Sequence, residues 1–253
     1  MKERELLANN ERKIREGNSG ALGGLLLKAL DTDSPLSTEF HRLYSRLVRL
    51  ETQQKLSVLL VTSARREEGK TTTCALLAYT AAAHSDKRVI VVDCDLRKPR
   101  LHELFGVSQR VGMADVLASL LPVNSVMKNT ALPNLKVITS GRGIGMPAAL
   151  FESTVFKETM AELRANFDLV IIDTAPVLPV SDAFLISGHC DGILLVVMAG
   201  KTPIGVVSRA GDLLNEGGGK ILGAVVNNAE EVLPYYYDYE YYGYEDEKSS
   251  AKG

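Results

Sequence analysis

The chain of 253 residues has no tryptophan, only three cysteines and only four histidines. The cysteines (Cys74, Cys94 and Cys190) are far apart and odd in number, which argues against a disulfide framework or a metal site. Such cysteine usage is typical of reduced thiols in the cytosol. The net charge of −2 provides no basic field, so we expect no nucleic-acid partner.

Long apolar runs are also absent from the sequence. None approaches the roughly 18 residues that a membrane-spanning helix needs. The charged start MKERELLANNERK lacks the apolar segment of a secretory signal. These absences predict a cytoplasmic protein. Hydrophobic residues still make up 45% of the chain, which is enough for a sizeable core.

Apolar runs of strand length alternate with helical stretches from residue 57 onward. Because the runs show no polar alternation, both faces of each strand are expected to be buried. Repeated strand–helix units predict an α/β fold, a doubly wound and mostly parallel sheet flanked by helices. The expected strands are 57–62, 88–93, 135–139, 168–173, 192–198 and 220–227, and helices are expected to about 84 after the first strand and over 147–165, 181–188 and 203–216.

One further helix is expected before the first strand. Ser37 is predicted to cap it, and it should run to about Glu51. One face carries the apolar residues Phe40, Leu43, Leu47 and Leu50.

A glycine-lysine-threonine turn follows the first strand and opens the next helix. The segment from Ala64 to Thr71 fits the A/G-x4-G-K-T form of a phosphate-binding loop. Gly69 would let the backbone approach phosphate, and the helix N-terminus would supply amide donors. Lys70 would reach the β and γ phosphates, and the Thr71 hydroxyl could coordinate Mg²⁺. The alternative is a chance match at a helix start.

Two of the predicted strands end in aspartate. Asp93 closes one strand, with Asp95 two residues later, and Asp173 closes another. Ligands of open parallel sheets bind at the carboxyl ends of the strands, so these carboxylates should face the phosphate loop. If the extended geometry continues, Asp93 and Asp95 project to the same side, where one could hold Mg²⁺ and the other take a proton from a hydroxyl. Ordinary turn chemistry is the alternative.

Two more features are concentrated in short segments. Arg97, Lys98 and Arg100 form a basic cluster that could attract phosphates or acidic residues, or simply be solvated.

Seven of the nine tyrosines alternate with acidic residues near the end of the chain: Tyr235, Tyr236, Tyr237, Tyr239, Tyr241, Tyr242 and Tyr244. This segment is expected to be disordered and is interpreted as a set of phosphate acceptors, with an adhesive or solubilising tail as the alternative.

Together these residues resemble the bacterial tyrosine kinases of capsule and exopolysaccharide chain-length systems. That family is a branch of the deviant Walker P-loop ATPases, with the SIMIBI or MinD-like fold. Its motifs occur in order over residues 34–244, as SPLSTEFHRLYSRL (34–47), SARREEGKTTT (63–73), VIVVDCDLRKPRLHELFG (89–106), DLVIIDTAPVLPVSDA (168–183) and GAVVNN (223–228), followed by the tyrosines.

The resemblance implies an ATP- and Mg²⁺-dependent autokinase that phosphorylates its own tyrosine tail. It assigns catalysis to Lys70, Asp93, Asp95 and Asp173, and the metal to Thr71, Asp93 and Asp173. Nucleotide contacts are expected from Ala64, Arg65, Arg66, Glu67, Glu68, Gly69, Lys70, Thr71, Thr72, Arg97 and Asn227. Oligomer contacts are expected from Glu39, Arg42 and Arg46.

The resemblance also implies an organisation and partners. The regions would be a flexible arm over 1–33, a P-loop kinase domain with its oligomerisation helix over 34–233, and the disordered tail over 234–253. The partners would be further copies of the chain, in an assembly such as a ring, and a membrane chain-length regulator. The cytoplasmic segment of that regulator would activate the kinase and hold it at the inner face of the plasma membrane.

Three motifs depart from the family pattern. The family loop usually reads Pro-Gly-Glu-Gly-Lys, and Glu67 replaces its first glycine here, which constrains the backbone. The oligomerisation motif usually reads Glu-x-x-Arg-x-x-Arg. Ser45 fills its last position here and Arg46 follows, a shift that rotates a helical side chain by about 100°. The family segment S-G-x-P-x-N-P-S-E-L is reduced here to Ser140-Gly141 through Met146-Pro147-Ala148-Ala149-Leu150, which weakens a second part of the expected ring interface.

Two other functions fit part of the pattern. A positioning ATPase of the ParA or MinD type normally has a second loop lysine where this chain has Arg65, and it gives the tyrosines no role. A nucleotide-binding regulatory scaffold without kinase activity would use the tail only for docking.

Overall fold

The computed structural model describes residues 34–142 and 147–229. The predicted arm and the tyrosine tail lie outside the described residues. The strands are β1 Val58–Ser63, β2 Val89–Asp93, β3 Lys128–Asn129, β4 Leu135–Ile138, β5 Leu169–Asp173, β6 Gly192–Met198 and β7 Ile221–Asn227. The helices are α1 Pro35–Glu51, α2 Lys70–Ala83, α3 Leu101–Phe105, α4 Met113–Leu117, α5 Pro147–Phe151, α6 Thr154–Asn166, α7 Asp182–Ser187 and α8 Ile204–Glu216.

All the strands join one sheet in the order β3-β4-β2-β5-β1-β6-β7. Every neighbouring pair is parallel except β3 with β4. The predicted strands and the doubly wound architecture are therefore confirmed. The edge strand β3 was not predicted, because a two-residue strand gives no periodic signal.

Alternating side chains of the central strands pack into two apolar layers, one on each face of the sheet. Leu59 and Val61 pack on one side of the sheet with α1, α2 and α3. Val58 and Leu60 pack on the other side with α4, α6, α7 and α8. The strands β1, β2 and β5 are buried along their whole length, as their continuous apolar runs predicted.

The predicted cap of α1 was wrong by one turn. Ser34, not Ser37, precedes the helix, and its side chain accepts the Ser37 amide at 3.1 Å. Pro35 follows at the first helical position, where its missing N–H costs nothing. Ser37 instead lies buried within the helix.

The expected helix over 147–165 is two helices. α5 ends at Phe151 and α6 begins at Thr154. Ser153 lies between them in an extended conformation, and its side chain accepts the Phe156 amide at 3.1 Å. The apolar periodicity predicted one continuous helix, but Ser153 caps a new helix and so divides the segment in two.

Across residues 34–142 and 147–229, no helix is both long enough and apolar enough to span a lipid bilayer.

Candidate active site

Sheet order places two aspartates beside the loop that follows β1. β5 lies between β1 and β2, and Asp173 at its end is in register with Asp93 at the end of β2. Asp173 is also in register with Val61 of β1, two residues before that strand ends at Ser63. The carboxyl ends of three adjacent strands therefore meet at one edge, as expected for a ligand site in such a sheet.

The N-terminus of α2 faces this edge without a side-chain cap. Gly69 occupies the cap position with φ of 91°, and no side chain accepts a hydrogen bond there. The first amides of this 14-residue helix are left for an anionic ligand, which the helix dipole also favours. Glycine is favoured at this position because φ of 91° strains any residue with a Cβ, and an added Cβ would also displace the Asn227 side chain, whose Nδ2 would lie 2.1 Å away.

Lys70 forms an ion pair across the site. Its Nζ lies 2.9 Å from Asp95 Oδ2, and both side chains are largely buried. Burial disfavours the charged amine, but Asp173 and Asp95 outweigh that effect and raise the pKa of Lys70. The lysine therefore keeps its proton and presents a positive charge where phosphate oxygens are expected.

Asp93 and Asp95 have different surroundings in the structure. β2 ends at Asp93, so Asp95 lies beyond the strand. The Asp93 carboxylate accepts the backbone amides of Asp95 and Leu101 at 3.1 and 3.2 Å. Burial and the nearby Asp173 raise the pKa of Asp93 well above its ordinary value. Asp93 is thus held by the backbone, and Asp95 carries the carboxylate that meets Lys70.

Asp173 is a buried carboxylate that lacks a well-formed hydrogen bond. It is fully buried, and within the described part of the chain neither oxygen accepts a hydrogen bond of ordinary geometry. Burial raises its pKa to about 6, opposed by the charge of Lys70 and by the nearby Thr71 hydroxyl and Cys74 thiol. A buried acid held this loosely is costly unless a ligand completes it.

These groups fit Mg²⁺ bound together with a nucleotide. Among the described residues, no cluster of three or more histidine, cysteine, aspartate or glutamate side chains forms a complete metal site. Mg²⁺ commonly uses one or two protein oxygens and takes the rest from water and phosphate. The loosely held Asp173 oxygens beside Thr71 supply such a partial set.

The loop residues themselves divide into two groups. Arg65, Arg66 and Glu67 are exposed, whereas Ala64 is buried and Thr72 is half-buried. Glu68 is buried, and its carboxylate accepts the Arg65 amide at 2.7 Å and the Thr202 hydroxyl. Its side chain is thus engaged by the protein, while the three exposed side chains remain open to a ligand.

Arg97 contacts a residue that the sequence did not single out. Its guanidinium donates to both oxygens of the fully buried Asp182, at 2.9 and 3.1 Å. Hydrogen bonding to Asp182 raises the pKa of Arg97. The basic cluster is therefore anchored at Arg97. Asp182 begins α7 inside a quoted family motif, so its position in VSDA was the available signal.

Asn227 lies beside the phosphate loop. Its Nδ2 donates to the Glu68 carbonyl at 3.1 Å. Thr202 reaches the same glutamate from the turn between β6 and α8. Sequence reasoning missed Thr202, because nothing in its local sequence marks a partner in another turn.

The residues assigned to oligomer contacts lie on α1. Glu39 and Arg42 form an exposed pair at 2.6 Å. Arg42 and Arg46 line the same surface groove, with Thr38, His41, Ser45 and Arg49. The shift from position 45 to 46 therefore still leaves both arginines on one face of the helix.

Comparison with known proteins identifies the family. The family model described as an AAA domain matches residues 60–199, more than half of the chain. The tyrosine-protein kinase YwqD of Bacillus subtilis is 33% identical over 233 residues, which cover 92% of this chain and 97% of that protein. The chain belongs to the bacterial tyrosine-protein kinases.

Solved structures agree with this family and with its relation to other ATPases. The kinase domain of the Escherichia coli tyrosine kinase ETK has a TM-score of 0.75 at 29% identity, covering 80% of this chain and 79% of that chain. The septum site-determining protein MinD of Pyrococcus horikoshii, solved with Mg-ADP, has a TM-score of 0.57 at 22% identity and covers 68% of this chain and 70% of that chain. The second likeness shows the shared fold alone, which confirms the MinD-like class for this tyrosine-kinase chain.

Proposed function

We propose that the chain is an ATP- and Mg²⁺-dependent tyrosine autokinase. Its acceptors are the clustered tyrosines Tyr235, Tyr236, Tyr237, Tyr239, Tyr241, Tyr242 and Tyr244. The observation that carries the proposal is the arrangement of Lys70, Asp95 and the loosely held Asp173 around the uncapped start of α2. Membership of the bacterial tyrosine-protein kinases supports the same conclusion.

The proposed chemistry follows from the charges of these side chains. Mg²⁺ would neutralise phosphate charge when bound. Lys70 stabilises the negative charge that builds on the transferred phosphoryl group and its leaving oxygen. Asp173, Asp93 and Thr71 would hold the metal, directly or through water. Arg97 and Asn227, with the loop residues, position the nucleotide.

Asp95 is proposed as the proton acceptor. A tyrosine hydroxyl has a pKa near 10 and attacks poorly unless a base takes its proton. Asp95 lies 2.9 Å from Lys70 Nζ and accepts one backbone amide, that of Lys98, whereas the Asp93 carboxylate accepts two amides. The hydroxyl oxygen would form the new P–O bond as the bond to the leaving phosphate breaks and the proton passes to Asp95.

The tail is proposed to reach the site of a neighbouring copy in an oligomer built on Glu39, Arg42 and Arg46. Linking several tyrosines to one body gives each a high effective concentration near a site. Each phosphate adds about −1.5 to −2 charges at pH 7, so successive transfers would repel an acidic tail and loosen the assembly. We propose that this cycle regulates capsular or exopolysaccharide polymerisation and export. A membrane adaptor would hold the cytoplasmic kinase at the plasma membrane and activate it.

The test is to incubate the purified chain with ATP and Mg²⁺, with and without the cytoplasmic segment of the adaptor, and to probe for phosphotyrosine. Lys70→Met should abolish the signal. Removal of residues 235–253 should abolish it while nucleotide binding persists. A wild-type chain that binds nucleotide but never forms phosphotyrosine would leave the regulatory scaffold as the better function.

A further inference from the structure

Three hydrogen bonds of Glu68 hold the phosphate loop in shape, one within the loop, one to the turn after β6 and one to the end of β7. Glu68 is only 3% exposed, although it lies in a loop expected to receive phosphate anions. One of its carboxylate oxygens accepts the Arg65 amide and the other accepts the Thr202 hydroxyl. From the other side, Asn227 donates to the Glu68 carbonyl. None of these contacts is a step in the phosphoryl transfer proposed above.

The loop that they hold has an unfavourable backbone. Glu67 adopts φ of 65°, a left-handed conformation that is costly for any residue with a Cβ. Gly69 continues the curl with φ of 91°. Without side contacts, such a loop would relax toward ordinary backbone angles, and its amides would lose their common direction. The contacts of Glu68 therefore offset the strain at Glu67.

The turn that carries Thr202 is itself firmly attached to β6 and β7. The Thr202 amide donates to the Met198 carbonyl at 3.0 Å, and the Ala199 amide donates to the Asn227 carbonyl at 2.9 Å. The hydroxyl of Thr202 is thus presented to Glu68 from a fixed position.

We propose that Thr202 is a positioning residue for nucleotide binding. It acts through Glu68 and keeps the phosphate loop in the curled, ligand-ready conformation despite the missing glycine at position 67. The proposal rests on the function given above only in that this loop binds the nucleotide. It concerns nucleotide affinity and not the acceptor tyrosines.

The first test is Thr202→Val, which removes the hydroxyl and keeps the side-chain shape. Titration of the full chain with fluorescent ADP and Mg²⁺ should show affinity about tenfold weaker, the usual effect of losing a hydrogen bond to a charged group. The KM for ATP should rise by the same factor while kcat changes little. Thr202→Ser should restore binding. Thr52→Val is the matched control, since Thr52 is exposed and donates only to the Arg49 carbonyl at the end of α1.

The second test separates positioning from simple loss of structure. In a Glu67→Gly background the loop is no longer strained, so Thr202→Val should weaken ADP binding by no more than about threefold. Wild-type affinity in Thr202→Val would overturn the proposal, as would an equal loss in both backgrounds. Failure of the kinase function is distinguishable, because a chain that forms no phosphotyrosine can still be titrated with ADP. A wild-type chain that does not bind ADP would overturn both.

Discussion

At the scale of single residues, the candidate site concentrates negative charge that the fold itself does not need. Asp93 and Asp173 are fully buried and Asp95 is nearly so, with Lys70 paired to one of them. Burial of like charges opposes their ionisation. Such an arrangement lowers stability in the free protein and is useful only when a cation or ligand completes it.

Asp173→Asn should therefore stabilise the free protein while abolishing Mg²⁺-dependent nucleotide binding. The folded pKa of Asp173, about 6, lies above its ordinary value of 3.8. At pH 7.5 the gain in the free energy of unfolding should be about 1–3 kcal/mol. Urea unfolding of both proteins without Mg²⁺ measures it, and a less stable variant would contradict the account.

The same group predicts a pH dependence. Between about pH 4 and pH 6 the folded chain binds more protons at Asp173 than the unfolded chain. The contribution of Asp173 to stability is thus fully present below pH 4 and is lost as pH rises through 6. The stability difference between wild type and Asp173→Asn should accordingly shrink toward zero near pH 4. Nucleotide binding with Mg²⁺ should show the opposite trend and weaken below pH 6.

Glu67→Gly should increase the stability of the folded protein, at a position where the chain departs from its family. The residue has φ of 65°, and a left-handed residue with a Cβ costs about 1–2 kcal/mol. Glycine also has more conformational freedom in the unfolded chain, which reduces the stabilisation gained by relieving this strain. A net increase of about 0.5–1 kcal/mol in the free energy of unfolding is expected. Glu67→Ala, which keeps the strain, is the control and should show no such increase.

Sequence reasoning reached Lys70, Asp93 and Asp173 because each lies at a strand end or helix start that local patterns reveal. It did not predict the side-chain contacts around them. Glu68 and Thr202 are 134 residues apart and Arg97 and Asp182 are 85 apart. Such pairs are created by the folded topology. The strain at Glu67 was expected from the missing glycine, but the contacts that offset it were not.

At the scale of helices and strands, one ion pair fastens α6 to the amino ends of the strands. Arg164 on α6 lies 2.6 Å from Asp191, which also accepts the amides of Ser57 and Val58 at 2.8 Å. Both charged side chains are mostly buried. Burial disfavours the Asp191 carboxylate, but these donors outweigh it and lower its pKa.

Arg164→Met should reduce the free energy of unfolding by about 2–3 kcal/mol, because it leaves a mostly buried carboxylate without its cation. The matched control is Arg88→Met. Arg88 forms a comparable pair with Asp168 at 2.8 Å, but both side chains are exposed, so a loss of at most about 1 kcal/mol is expected. Chemical denaturation of the two variants compares them directly. Equal losses would mean that burial does not set the value of these pairs.

Element boundaries were the part of the fold that sequence predicted least well. Apolar runs located every strand of the parallel sheet, since burial on both faces requires them. The cap of α1 and the break between α5 and α6 depended on which of several serines accepts a backbone amide. That choice is made by tertiary packing and leaves only a weak local signal.

At the scale of the whole molecule, α1 connects the kinase body to its proposed assembly. Its buried side, including Tyr44 and Leu47, packs on the apolar layer beside α2, while Arg42 and Arg46 line an outward groove. Reversing both charges, with Arg42→Glu and Arg46→Glu together, should lower the mass measured by sedimentation without lowering the thermal midpoint. Arg110→Glu, at another exposed position, is the control and should leave the assembly unchanged. An unchanged mass in the double variant would exclude this face as the oligomer contact.

In the proposed kinase, one chain contains both the phosphate donor site and its acceptors. The most direct measurement is mass-spectrometric mapping of phosphate on the full chain after incubation with ATP and Mg²⁺, in the presence of the adaptor's cytoplasmic segment, for wild type and Lys70→Met. Phosphotyrosine should be confined to the segment from Tyr235 to Tyr244 in the wild type and absent from the variant. Absence of phosphate from that segment in the wild type, or equal modification of the variant, would contradict the proposed function.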